Sequence, residues 1–203
     1  MTLGSHNSMS YLAPARWWMR PFRVFARCQK KSIREQIDCG VRCFDLRVSF
    51  DSSGRPRFSH GLVDFELPAD FAYGAYLPDT VQRPLHSVLE LLEAYAMGGD
   101  TFYIRLILEK EQRLGDIGRF FRLCRYVEQD YPHLTFIGGV TKKGWELIYD
   151  FHDSVTEAEI AQPIGSMAPD ARWYERLIPE LYVRRKHNHT FQEGTRIILY
   201  DFI

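Results

Sequence analysis

The chain has 203 residues, and its 26 lysines and arginines balance its 26 acids, so the formal net charge is zero. That balance excludes a protein held to nucleic acid by bulk charge, and 45% hydrophobic with 26% charged residues is globular rather than disordered composition. The zero hides a split, because residues 1–34 carry Arg16, Arg20, Arg23, Arg27, Lys30, Lys31 and Arg34 and no acid, which leaves 19 bases against 26 acids and marks a surface that meets anions.

In chain order, Met1–Gly4 reads as a first strand running into Ser5-His6-Asn7-Ser8. Ser32 and Glu35 stand at capping-box spacing, opening a helix that buries Ile33 and Ile37 and that Gly40 is placed to end. Val41–Phe50 is the second strand and Arg57–His60 a short third. Val88–Met97 has the apolar spacing of a helix, and Thr101–Lys110 is the strongest strand signal. Ile117–Tyr131 is an amphipathic helix, followed by strands at Leu134–Val140 and Glu146–Phe151. Residues 153–190 carry little pattern beyond a helix at Ala171–Ile178, and Arg196–Ile203 closes the chain as a strand. Strands alternating with helices predict an α/β fold of parallel strands, in one domain over residues 1–203.

Cys28, Cys39, Cys43 and Cys124 have no zinc or redox spacing and read as buried free thiols. No stretch reaches the roughly 18 apolar residues of a membrane span, and the first residues lack the basic start and apolar run of a signal peptide. The expectation is a soluble chain.

Strand periodicity separates two faces. Phe44, Leu46 and Val48 share one face of the second strand, and Cys43, Asp45, Arg47 and Ser49 the other. Arg105, Ile107 and Glu109 lie opposite Phe102, Ile104, Leu106 and Leu108. In a parallel barrel the polar face points inward, where charge must be paired or used. Asp45, Glu109 and Asp201 are expected near strand C-termini, where barrel active sites form, although a buried ion network such as Asp45 with Arg105 fits the same pattern. His6 and His60 each follow a predicted strand. Two imidazoles at strand ends, with acids on neighbouring strands, supply what general acid–base chemistry needs.

These residues carry a resemblance. Gly4-Ser5-His6-Asn7-Ser8, Ser32-Ile33-Arg34-Glu35-Gln36-Ile37, Gly40 to Arg47, Ser59-His60-Gly61, Leu85–Leu92 and Leu106 to Glu111 resemble, in order and spacing, the catalytic X region of phosphatidylinositol-specific phospholipase C. The match is strong over residues 1–111, weak over 112–190, and returns at Leu199-Tyr200-Asp201-Phe202. The resemblance implies a TIM-like (β/α) barrel, short and imperfectly closed, that cleaves phosphatidylinositol-type lipids to diacylglycerol and a cyclic inositol phosphate. By that resemblance His6 is the general base and His60 the general acid. Asp201 orients the base, Asp45 and Arg47 complete the catalytic set, and Asn7, Glu109, Lys110 and Tyr200 contact substrate.

Asp45-Leu46-Arg47 matches metal-independent bacterial relatives, in which a guanidinium supplies the charge that calcium supplies in others, and implies no cofactor. Asn7 and Glu109 instead match the calcium type, which leaves Ca2+ held by Asn7, Asp45 and Glu109 as the alternative. The Trp17–Phe25 stretch interleaves aromatics with arginines, and two readings stand open: a rim that meets a phospholipid membrane, or filling between barrel and first helix. Tyr182 and Tyr200 can offer a ring for inositol, and Arg184-Arg185-Lys186-His187 reads as a solvated basic loop. The partner expected is a phospholipid substrate acted on by a monomer. Rival readings are a non-catalytic lipid or inositol-phosphate binding module, and a metal-dependent glycerophosphodiesterase-like enzyme.

Overall fold

Strand β1 (Thr2–Ser5) fits between two neighbours because Gly4 has no side chain. A Cβ there would stand 2.5 Å from Leu199 Cδ2 and 3.0 Å from Cys43 Cβ. The computed structural model describes residues 1–68, 71, 83–109, 114–137, 141–143, 146–148, 155, 159–162, 168, 170–185 and 194–203.

After β1 come the two-residue strand β2 (Ala13–Pro14), a 3-10 helix (Trp17–Phe22) and the one-turn helix α1 (Arg23–Ala26). Helix α2 (Ile33–Asp38) has the expected capping box: the Ser32 hydroxyl accepts from the Glu35 N–H, and the Glu35 carboxylate accepts from the Ser32 N–H. Strands β3 (Cys43–Phe50), β4 (Pro56–His60) and β5 (Val63–Glu66) follow, then helix α3 (Pro84–Met97) and strand β6 (Phe102–Leu108). Helix α4 (Asp116–Asp130) leads to β7 (Leu134–Ile137), β8 (Thr141–Lys143), β9 (Glu146–Ile148) and β10 (Ile160–Ala161). Helices α5 (Trp173–Leu177) and α6 (Pro179–Arg185) precede β11 (Ile197–Tyr200).

Parallel pairings run in the order β10-β11-β1-β3-β6-β7. Among the described residues β7 and β10 do not pair, so this TIM-like sheet is open. The expected parallel strands are joined by antiparallel ones. β4 pairs antiparallel with β3 and with β5, β5 with β2, and β9 with both β6 and β8. The reason lies in β3, whose eight residues outlast its neighbour. Only Cys43 and Phe44 pair with β1, and Val48–Phe50 pair instead with Phe58, Arg57 and Pro56 of β4. Asp45 therefore sits in the lower half of its strand, not at its C-terminal end as expected. It is nevertheless level with the residue that follows the end of β1, because Ser5 pairs with Phe44. β4 runs back down the same edge, so its last residue, His60, arrives where β1 ends.

The apolar face of β3 (Phe44, Leu46, Val48) and that of β6 (Phe102, Ile104, Leu106, Leu108) are buried with Val88, Leu89 and Leu92 of α3 and Phe120, Cys124 and Val127 of α4. Each such side chain contributes about 1.5–3 kcal/mol of transfer free energy. Helix α3 starts four residues before its apolar spacing does, with Pro84 at its first position, where the missing N–H costs nothing. The single helix expected over Ala171–Ile178 ends at Leu177, since Ile178 precedes Pro179 and is extended. A second helix, α6, then carries Arg184 and Arg185, which pair with Glu180 and Glu175 rather than lying in a basic loop. Lys186 and His187 fall outside the described residues. Tyr182 is 1% exposed and packs with Ala168 and Ala171, so it offers no ring to a ligand. Cys28, Cys43 and Cys124 are buried free thiols as expected, while Cys39 is exposed.

Candidate active site

His6 follows β1 directly, and its backbone N–H donates to Tyr200 O at 2.9 Å. Its ring is 3% exposed. Nδ1 lies 2.7 Å from Asp201 Oδ1, and a carboxylate only accepts, so Nδ1 carries the proton. Nε2 then holds the lone pair, to which Arg47 Nη2 donates at 2.9 Å. The arrangement is a neutral imidazole in one tautomer, with its basic atom directed toward the guanidinium.

Arg47 is 4% exposed and joins three groups. Its Nε donates to Asp45 Oδ2 at 3.0 Å, its Nη1 to Glu109 Oε2 at 3.0 Å, and its Nη2 to His6. Asp45 is fully buried, accepting from Arg105 Nη1 at 2.7 Å and from the Asn7 N–H at 2.9 Å. Burial raises its pKa, but Arg47 and Arg105 outweigh that and hold the carboxyl well below the usual range. Two carboxylates (Asp45, Glu109) thus meet two guanidiniums, and the third, Asp201, meets the imidazole of His6.

His60 is partly exposed at the foot of β4. Its Nδ1 is 2.9 Å from Ala26 O and 3.7 Å from Cys28 Sγ. A carbonyl accepts, so Nδ1 donates and Nε2 is the exchangeable atom. Burial lowers the pKa of this ring, Glu109 raises it, and Arg47 and His6 lower it again, with a net shift downward. The two imidazoles meet edge to face with centroids 5.9 Å apart. Glu109 links the two ends of the site, since its Oε1 accepts from the Gly61 N–H at 2.7 Å while its Oε2 holds Arg47.

The expected residues His6, Asp45, Arg47, Glu109 and Asp201 therefore meet in one network with His60 at its edge. Asn7 contributes its backbone N–H to Asp45, and its buried Nδ2 has no hydrogen-bond partner among the described residues. Tyr200 is half-buried and serves the network through its carbonyl. Lys110 lies outside the described residues. Where calcium was the alternative, Arg47 fills the space between Asp45 and Glu109, and the Asp45 oxygens are already bonded to Arg47, Arg105 and Asn7.

Sequence reasoning missed the clasp formed by residues 26–29. The Cys28 and Gln29 N–H groups both donate to Ser10 Oγ, at 2.9 and 3.0 Å. Gln29 Nε2 donates to Tyr200 O (2.7 Å) and His6 O (3.1 Å), and Gln29 Oε1 accepts from the Ile203 N–H. The Phe202 N–H donates to Cys28 O at 2.7 Å. One buried amide thus binds the strand end that carries His6 to the one that carries Asp201. Backbone strain collects at the same place, since Asn7 (φ 44°) and Phe202 (φ 54°) are the non-glycine residues in the left-handed region among those described.

Beside His60 lies an apolar pocket lined by Met19, Phe22 and Phe25 on one side and Leu62 and Val63 on the other. Of its lining, Phe22 is 51% and Leu62 84% accessible, and Trp17 and Trp18 of the same 3-10 helix are 77% and 48% accessible. The 3-10 helix does not fill a gap between barrel and helix, apart from its buried Met19.

No family model matches the chain, and no curated protein matches it. Solved structures do. Phosphatidylinositol-specific phospholipase C from Listeria monocytogenes is similar over 99% of this chain and 87% of its own, at 13% identity and a TM-score of 0.55. The enzyme of the same name from Staphylococcus aureus is similar over 64% of this chain and 37% of its own, at 19% identity and a TM-score of 0.45. The chain has the fold of bacterial phosphatidylinositol-specific phospholipase C.

Proposed function

We propose that this chain is a metal-independent phosphodiesterase of the phospholipase C type, acting on phosphatidylinositol or a related phospholipid. The observation that carries the reading is the Asp201–His6–Arg47 relay, in which a buried carboxylate fixes the imidazole tautomer and a guanidinium faces the basic atom. His6 Nε2 takes the proton of the inositol 2-hydroxyl, whose oxygen attacks phosphorus. The bond from phosphorus to the diacylglycerol oxygen breaks, and a protonated His60 supplies that oxygen with its proton from Nε2. Products are diacylglycerol and a cyclic inositol phosphate, which can be hydrolysed with the two histidines exchanging roles. Arg47 turns a donor from His6 to the phosphoryl oxygens as charge grows on them, and Asn7 Nδ2, without a partner among the described residues, is a further donor for substrate.

Arg47 supports the metal-independent form. A dication between Asp45 and Glu109 would meet a buried guanidinium at short range. The exposed Trp17, Trp18, Phe22 and Leu62, set among Arg16, Arg20 and Arg23, suit a lipid surface, with rings at headgroup depth and arginines on phosphates. Among the described residues no helix is long and apolar enough to cross a membrane. The test is phosphorus NMR of phosphatidylinositol vesicles incubated with the protein, with and without chelator. A cyclic phosphate signal that survives chelation is expected. Absence of product at high protein concentration defeats the proposal, and turnover abolished by chelator defeats its metal-independence.

A further inference from the structure

Cys28 occupies a position that the proposed mechanism does not use. Its side chain is fully buried behind His60, with Sγ 3.7 Å from His60 Nδ1. Ligand atoms of His6, Cys28 and Asp201 all lie within 4.8 Å of one another. The second oxygen of Asp201, Oδ2, is buried without a hydrogen-bond partner among the described residues, and the Cys28 thiol, its pKa pushed up by burial and then by Asp201, interacts with this carboxylate. A thiol, an imidazole and a carboxylate are a donor set for a borderline-soft ion, and tetrahedral zinc with ligand bonds of about 2.0–2.3 Å asks for donors roughly 3.3–3.7 Å apart. To hold an ion, the His6 Nδ1–Asp201 Oδ1 pair at 2.7 Å must open by roughly 0.6 Å, and the widest pair, at no more than 4.8 Å, must close by about 1 Å.

We propose that His6, Cys28 and Asp201 form a binding site for a thiophilic divalent cation of the Zn2+ class, and that its occupancy switches off the base histidine. Metal binding by the site stands on the donor geometry alone, whereas the switch rests on the role proposed for His6. The Cys28 thiol gives up its proton to solvent, and the thiolate, the imidazole Nδ1 and the carboxylate bind the ion. With Nδ1 bound to metal, the single proton of the neutral ring moves to Nε2. That atom then has no lone pair with which to take a proton from a substrate hydroxyl. It also opposes Arg47 Nη2 as a second donor, so Arg47 must turn away. Calcium, a hard ion that takes oxygen ligands, is not expected here.

Co2+ is the probe, because it takes zinc's geometry and reports thiolate ligation by absorption, whether or not the protein is active. Wild-type protein titrated with Co2+ is expected to show tetrahedral d–d bands and a thiolate-to-cobalt charge-transfer band, both removed by added Zn2+. Cys28→Ser loses the charge-transfer band, and Cys39→Ser, which alters the exposed thiol, retains it. Asp201→Asn, nearly unchanged in volume, weakens Co2+ binding by about tenfold or more, which gives a second reading should Cys28→Ser fail to fold in a melting scan. Zn2+ raises the Tm of wild type and lowers its turnover of phosphatidylinositol at least about tenfold, reversibly on chelation. Each variant is compared with its own metal-free rate. No charge-transfer band in wild type, or a band that persists in Cys28→Ser, overturns the site. A Cys28-dependent band with turnover unchanged at saturating Zn2+ keeps the site and overturns the switch. A band in a protein without phospholipase activity keeps the site while the proposed function fails.

Discussion

The two ends of the candidate site are built from different materials. Around His6 the partners are ionised and buried: Asp201, Arg47 and, through Arg47, Asp45 and Glu109. Around His60 they are a backbone carbonyl, a thiol and a pocket of aromatic and aliphatic side chains open to solvent. The difference follows from which strand each histidine ends. β1 is central in the parallel sheet, so the residue after it falls among inward-facing charges. β4 is an antiparallel arm on the upper half of β3, so its last residue reaches the rim. On the proposed function this is a division of labour: the charged end would hold one proton in a fixed tautomer, and the apolar end would hold an acid beside the place where a lipid leaving group can lie.

That contrast can be broken most severely at the charged end. His6→Ala is expected to lower kcat/KM on phosphatidylinositol by about 10³–10⁴, and Asp201→Asn by about 10²–10³, because the amide no longer fixes the Nδ1–H tautomer. Asp45→Asn tests the foundation beneath it. Removing a fully buried carboxylate leaves Arg105 and Arg47 short of a partner, at a cost of about 3–5 kcal/mol in chemical unfolding. The pH dependence has a defined sign. The folded pKa of Asp45 is depressed, so its stabilisation is present above the unfolded value of about 3.9 and is lost as pH falls below it. Melting curves across that range should be steeper with pH in wild type than in Asp45→Asn.

At the apolar end the effects shrink. His60 has a lowered pKa, and an acid must be protonated, so kcat/KM should fall on the alkaline side from a pH below the ordinary histidine value of about 6.5. Rate–pH profiles of wild type and His60→Gln check this, the limb disappearing with the ring. The smallest effect is expected at the rim. Trp17→Ala should weaken sedimentation with phosphatidylinositol vesicles several-fold, about 1 kcal/mol, while changing turnover of a water-soluble inositol phosphodiester far less.

Much of the charged end was legible in the sequence, because period-two patterning places Asp45 with Arg47 and Arg105 with Glu109, whatever the exact strand ends. The capping box at Ser32 and Glu35 was legible for the same reason, a local rule with fixed spacing. At the apolar end His60 and the Trp17–Phe25 stretch were legible, but the setting of His60 was not. Ala26 O, Cys28 and Gln29 act through an irregular stretch whose contacts to Ser10, His60 and Tyr200 span up to 171 residues and follow no periodicity. The antiparallel arm was also hidden, since β3 gives no sequence signal that its upper half changes partner.

Leaving-group dependence tests the division of labour most directly. Turnover should be measured for wild type, His6→Ala and His60→Ala on two inositol phosphodiesters, one with an alkyl alcohol and one with p-nitrophenol as leaving group. The weakly basic phenolate departs without a proton, so His60→Ala should recover most of its rate on that substrate while His6→Ala stays inactive on both. Equal losses for both variants on both substrates, or rescue of His6→Ala instead, would contradict the assignment of base to His6 and acid to His60.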